Sequence, residues 1–260
     1  MAENPVIRNF GKASGASATP SAVDLQKIYD QPAYTGPRGA RRYMTLDDVV
    51  QRTGLMLLVL LAGGVVSWSM TSTKAAAPLL IIGLMGGVGL GLFMAFTQRV
   101  NAATALIYAA CEGLLLGAIS RVFENAYSGI VIQAVTGTVM VAGGMLFVYK
   151  IGAIRVTPKF TRVVVGATIG VFGLMLVNLI SYLFTPGGLG LRNGGAIAII
   201  FSLVCIVVAS MNLVMDFDMI ERGIRNGVDE KFAWYASFGL MVTLVWLYLE
   251  ILRLLGNLRQ

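Results

Sequence analysis

Seven runs of about twenty apolar residues constrain this chain more than any other feature, because that is the length of helix needed to cross a bilayer. They lie at about 53–71, 78–97, 102–122, 129–149, 161–184, 195–215 and 233–255. Backbone amides in hydrocarbon must bond within their own segment, so each run is expected as a helix. Composition agrees. Hydrophobic residues make up 57% of the chain and charged residues 13%, against roughly 25% charged in a soluble domain. The fold class expected is therefore an all-α membrane protein with seven transmembrane helices.

Local signals punctuate the runs. Thr45, Asp47 and Asp48 can cap the first helix, and Pro78 suits a helix start. Pro158 and the Pro186-Gly187-Gly188 run are expected in loops, and Asn226-Gly227 is a turn signal. Trp234 and Tyr235 suit a membrane interface. Gly83, Gly87 and Gly91 in the second run, and Gly166 and Gly170 in the fifth, recur every four residues, which permits close helix approach. Packing inside one chain is the ordinary use of such ridges; a dimer interface is the alternative. Cys111 and Cys205 sit in apolar runs and read as small buried hydrophobes.

Residues 1 to 45 lack hydrophobic periodicity and are rich in Gly, Ala, Ser and Pro. They read as a disordered tail ending in Arg38, Arg41 and Arg42. No apolar stretch near Met1 resembles a cleaved signal peptide. The basic cluster suits a flank beside anionic lipid better than nucleic acid, so no nucleic-acid partner is expected. Seven spans place the tail and the second, fourth and sixth connections on one side. That side carries fifteen Lys and Arg residues against five. The asymmetry predicts a cytoplasmic N-terminus and an external C-terminus.

Charged groups inside the runs are few, and an intramembrane acid is a functional-site hypothesis by default. Glu112 lies near the middle of the third run, and Asp216 where the sixth stops being apolar. Arg99 ends the second run at the depth of Asp216, so an Asp216–Arg99 pair would latch the inner mouth of a bundle. Asp218 with Arg222, and Glu221 with Arg225, are i,i+4 pairs that support a helical extension and suit a solvated face. Glu250 is three residues before Arg253, within about 8 Å of the helix end, where a snorkelling local pair accounts for it. Gln133, Thr136, Asn178, Ser181 and Thr243 can line a polar interior or bond across helices.

Several chemistries are unsupported. The chain has no histidine, which removes His-based triads, metal sites and pH switches. A pH response must then come from carboxylates. No lysine falls inside a run, and no phosphate-binding glycine loop or metal-ligand cluster is present. Neither an enzyme nor a resident cofactor is expected.

At Met215–Gly223 (MDFDMIERG) and Trp246–Gly256 (WLYLEILRLLG) the chain resembles the Bax inhibitor-1-like, or transmembrane Bax-inhibitor-motif, family in its bacterial branch. The likeness covers roughly residues 45 to 257. It implies a six-helix bundle around a central C-terminal helix. It also implies a pH-sensitive calcium leak, controlled by two hydrogen-bonded aspartates and an arginine latch; eukaryotic relatives suppress cell death. Asp216 matches the aspartate of the sixth helix and Arg99 the latch. Anchored on Arg253 and Gly256, the second aspartate's position falls on Thr243, which cannot ionise. Glu112 and Thr243 share a depth of ~15–17 Å, so Glu112 is a candidate second acid from another helix.

The expected function is a pH-modulated calcium or cation leak, with transient Ca2+ near Asp216 and Glu112 and the bilayer as the standing partner. The alternatives are a non-transporting regulator that binds another membrane protein, and a proton-coupled small-solute carrier.

Overall fold

Each apolar run closes into a helix, and two extend well beyond the apolar stretch. The computed structural model describes residues 42–70, 76–184, 189–191 and 194–259. The helices are α1 (Leu46–Met70), α2 (Ala76–Thr97), α3 (Ala102–Ala126), α4 (Ile130–Lys150), α5 (Pro158–Tyr182), α6 (Gly195–Arg225) and α7 (Phe232–Leu258). All seven are long and apolar enough to cross a membrane. Most of the expected tail, together with Lys74, Arg192 and the Pro186-Gly187-Gly188 run, lies outside the described residues.

The helix ends follow from capping chemistry. Thr45 and Asp48 form a reciprocal pair at the start of α1, with the Thr45 hydroxyl donating to Asp48 at 2.6 Å and the Asp48 amide donating back at 3.2 Å. Asn101 and Thr104 do the same for α3. Pro158, expected in a loop, is instead the first residue of α5, behind Thr157 as N-cap. That position needs no backbone donor, so proline fits it. The apolar part of α6 ends near Met215, yet the helix runs ten residues further. Arg222 pairs with Asp218 at 2.6 Å and Arg225 with Glu221 at 3.9 Å along that extension. Gly227, at φ +62°, then turns the chain into α7.

α7 is the central element, touching α1, α3, α4 and α6. α2 packs on α3 and α1, while α5 packs mainly on α6 and reaches α7 through the Phe172 and Trp246 rings, 5.2 Å apart. Without a hydrophobic drive between helices in lipid, small residues set these approaches. An added Cβ would meet the Cys111 carbonyl oxygen at 2.9 Å from Gly83 and a Tyr108 ring carbon at 3.2 Å from Gly91. That ridge therefore serves packing inside the chain. Nothing lies within 4 Å of a Cβ at Gly166 or Gly170, so the second ridge faces outward from the described bundle.

One end of the bundle, called here the hairpin end, is closed by residues expected in the tail. The Met44 amide donates to Val228 at 2.9 Å, and the Glu230 amide to Arg42 at 2.9 Å. Met44 is buried with Val49, Ile220, Ala233 and Ala236. Arg52 donates to the Glu230 carboxylate and to its backbone carbonyl, both at 2.6 Å, and lies 5.1 Å from the Trp234 ring. Residues 42–45 are thus part of the membrane domain. A buried methionine and two backbone bonds to the α6–α7 turn hold them there.

Candidate intramembrane acid site

The α6–α7 hairpin brings Asp216 and Thr243 together. The Thr243 hydroxyl donates to Asp216 Oδ2 at 2.6 Å. The same oxygen lies 3.1 Å from the Gly239 carbonyl, one turn back on α7. A hydroxyl has one proton, so it serves one of these acceptors at a time. Asp216 lies nine residues before Arg225, or ~14 Å along the helix from its end. The position read from the sequence as the counterpart of a second aspartate is therefore where Asp216 finds its partner, with a hydroxyl in place of a carboxyl.

Glu112 occupies a different place. Its carboxylate reaches α2 at Gly87, where an added Cβ would stand 3.2 Å from Oε1. Tyr108, one turn earlier on α3, is its polar neighbour. Tyr108 packs edge-on against Phe238 of α7, with ring centroids 5.1 Å apart. Asp216 thus meets α7 at Thr243, whereas Glu112 faces α2 and is linked to α7 only through Tyr108. α3 and α6 do not touch, so Glu112 does not supply the second group at Asp216; Thr243 fills that place first.

Arg99 is exposed between α2 and α3 and joins no ion pair among the described residues. α2 does not touch α6. The expected Asp216–Arg99 pair is therefore absent from this conformation. Equal depth along two helices does not make them neighbours, and α3 is what α2 packs on.

Glu250 corrects another expectation. It is 2% exposed, not snorkelling, and accepts from Arg253 at 2.9 Å. α7 continues to Leu258, which leaves Glu250 ~12 Å from the helix end. The last turn is held in because Gly256 lies against Phe123 and Ile130. Asp218 is also more enclosed than a solvated face implies, at 16% side-chain exposure beside Arg222. Tyr149 of α4 donates to Glu221. Of the smaller polar groups, Gln133 accepts from Arg259 at 2.7 Å, Asn178 from the Leu189 amide at 3.0 Å, and Thr136 bonds its own helix.

The Arg52–Glu230 contact joins residues 178 positions apart, and no local pattern in the sequence links them. Among the described residues no three Cys, Asp or Glu side chains converge as a metal site.

No curated protein matches the chain. A family model described as Bax inhibitor 1 like matches residues 4–260, nearly the whole length. Seven apolar helices, a hairpin acid and this match agree, and the chain belongs to the Bax inhibitor 1 like family of membrane proteins.

Proposed function

We propose that the chain is a pH-modulated calcium or cation leak whose switch is the Asp216–Thr243 contact. The observation that carries this reading is the 2.6 Å bond between an intramembrane carboxyl and a hydroxyl with a second acceptor 3.1 Å away. With Asp216 ionised, Thr243 donates to it and ties α6 to α7. With Asp216 protonated, the acid can donate to Thr243, whose own proton turns to the Gly239 carbonyl. The hairpin thus has two bonding states that differ by one proton and one charge. The ionised state offers a negative site to a passing cation; the neutral state does not. Glu112 supplies a second acid, at the α2–α3 contact.

Calcium flux through proteoliposomes across a pH series tests this. Asp216→Asn is expected to abolish the pH dependence and cut flux severalfold, and Glu112→Gln to lower flux. Thr243→Asp restores two facing acids and is expected to add a second titration step, as coupled carboxyls do. Wild-type flux and pH profile in both Asp216→Asn and Glu112→Gln overturn the assignment. A latch by Arg99 requires α2 to approach α6, and unchanged flux in Arg99→Gln at every pH removes it from the mechanism. We place the N-terminus in the cytoplasm on the Lys and Arg asymmetry. A reporter fused after Gln260 should then read as external, and a cytoplasmic readout reverses that placement.

One observation favours the second reading, a non-transporting regulator of another membrane protein. The large cavity described below is lined by neither Asp216 nor Glu112. On that reading, removal of residues 1 to 41 abolishes the cellular phenotype while flux is absent throughout.

A further inference from the structure

α1 and α4 do not touch. Between them lies an open cavity of about 790 Å³, floored by α3 and α7. It runs from Leu57 to Trp68 along α1 and from Val131 to Leu146 along α4. Those stretches are ~17 Å and ~22 Å long, and half of the bilayer's hydrocarbon core is ~15 Å. One acyl chain from one leaflet matches that length.

The wall chemistry excludes water as the occupant. Ser120, Thr138 and Tyr248 are among its few polar side chains, and each is already bonded within the protein. Ser120 and Tyr248 share a bond at 2.6 Å, and Thr138 donates to Ala134 at 2.7 Å. An ordered water needs two to four polar partners, which such a lining does not offer. The cavity is therefore no aqueous path for an ion.

A cation stands at one end. Arg121 lies 5.1 Å from the ring of Trp68, the last lining residue of α1. Arg121 forms no ion pair among the described residues. The nearby acid, Glu124, is committed to the Gly129 and Val131 amides at 2.6 and 3.1 Å. Arg259, the other cation there, is held by the Ser128 carbonyl at 3.1 Å and by Gln133. An apolar groove of one-leaflet length, ending at a guanidinium that lies over Trp68 and joins no ion pair among the described residues, is complementary to a lipid tail joined to a phosphate.

We infer that the α1–α4 groove is a binding site for one anionic membrane phospholipid, with an acyl chain in the groove and the phosphate at Arg121. This holds whether or not the chain conducts ions. Full-length protein exchanged into phosphatidylglycerol or phosphatidylcholine and examined by native mass spectrometry tests it. Wild type should retain one phosphatidylglycerol per chain, with about fivefold preference over phosphatidylcholine, the size expected for one cation near a membrane surface. Val139→Trp, which fills the groove, should lose the bound lipid. Gly143→Leu is the second filling variant, since a Cβ there meets nothing within 4 Å. Arg121→Gln should keep a lipid but lose the preference. Quenching of Trp68 by brominated phosphatidylglycerol, in a variant with Trp234 and Trp246 changed to Phe, should fall with Gly143→Leu. Equal retention in a filling variant that remains monodisperse overturns the groove. Retention simply proportional to the lipid supplied, or an unchanged preference in Arg121→Gln, overturns the phosphate site.

Discussion

Gly117→Ala should leave little or no folded protein. The added Cβ would stand 2.2 Å from the Gly64 carbonyl oxygen, and one at Gly113 would stand 2.2 Å from the Leu60 carbonyl oxygen. Both obstacles are backbone, so no rotamer change relieves them. α1 and α3 would have to separate over two turns, along one of the most extensive helix contacts in the bundle. Overpacking of an ordinary core costs roughly 1–3 kcal/mol; a clash with rigid backbone belongs at or above the top of that range. Thermal unfolding in detergent and the yield of monodisperse protein measure the effect. Gly143→Ala, in open space, is the matched control and should be near neutral. A Gly117→Ala protein as stable as the control would refute the α1–α3 geometry.

Arg253→Met should be the most damaging change among the charged residues. It removes the guanidinium that donates at 2.9 Å to a carboxylate only 2% exposed. Removing one partner of a buried pair costs about 3–5 kcal/mol, because the other charge stays in low dielectric. Arg253 is itself 23% exposed at its side chain, and water can partly follow the vacated volume, so the lower end is expected. Glu250→Gln combined with Arg253→Met should recover part of the loss, since the carboxylate charge that faced the guanidinium is removed with it. A double variant no better than Arg253→Met would show that the arginine acts through packing. The measurement is again thermal unfolding in detergent, with calcium flux recorded alongside. A stability role leaves the pH profile of the surviving protein unmoved.

Much of the helical frame was legible from residue order. Runs of apolar residues, the Thr45–Asp48 cap, the Asn226-Gly227 turn and the i,i+4 pairs after Asp216 are all local. Backbone satisfaction in lipid allows them no other outcome. Proline marks a helix start as readily as a loop, and Pro158 takes the first of these. The α2 glycine ridge was legible as a ridge, but not the helix it meets. The Gly113/Gly117 pair, spaced the same way, makes the tighter contact, and spacing alone does not rank the two.

Facing was not legible, and the physical reason is the solvent. A helix in water shows its inner side by an apolar stripe. A helix in lipid is apolar on nearly every side, so its pattern does not say what lies across from a given residue. By itself, the chain determined seven apolar spans and the order of the charged groups along them. Only the tertiary packing decided that Asp216 meets Thr243 rather than Arg99 or Glu112, that Glu250 is enclosed, and that a gap opens between α1 and α4. Depth is a property of one helix. Partnership depends on which helices become neighbours, and backbone-to-backbone fit at glycines far apart in the chain sets that.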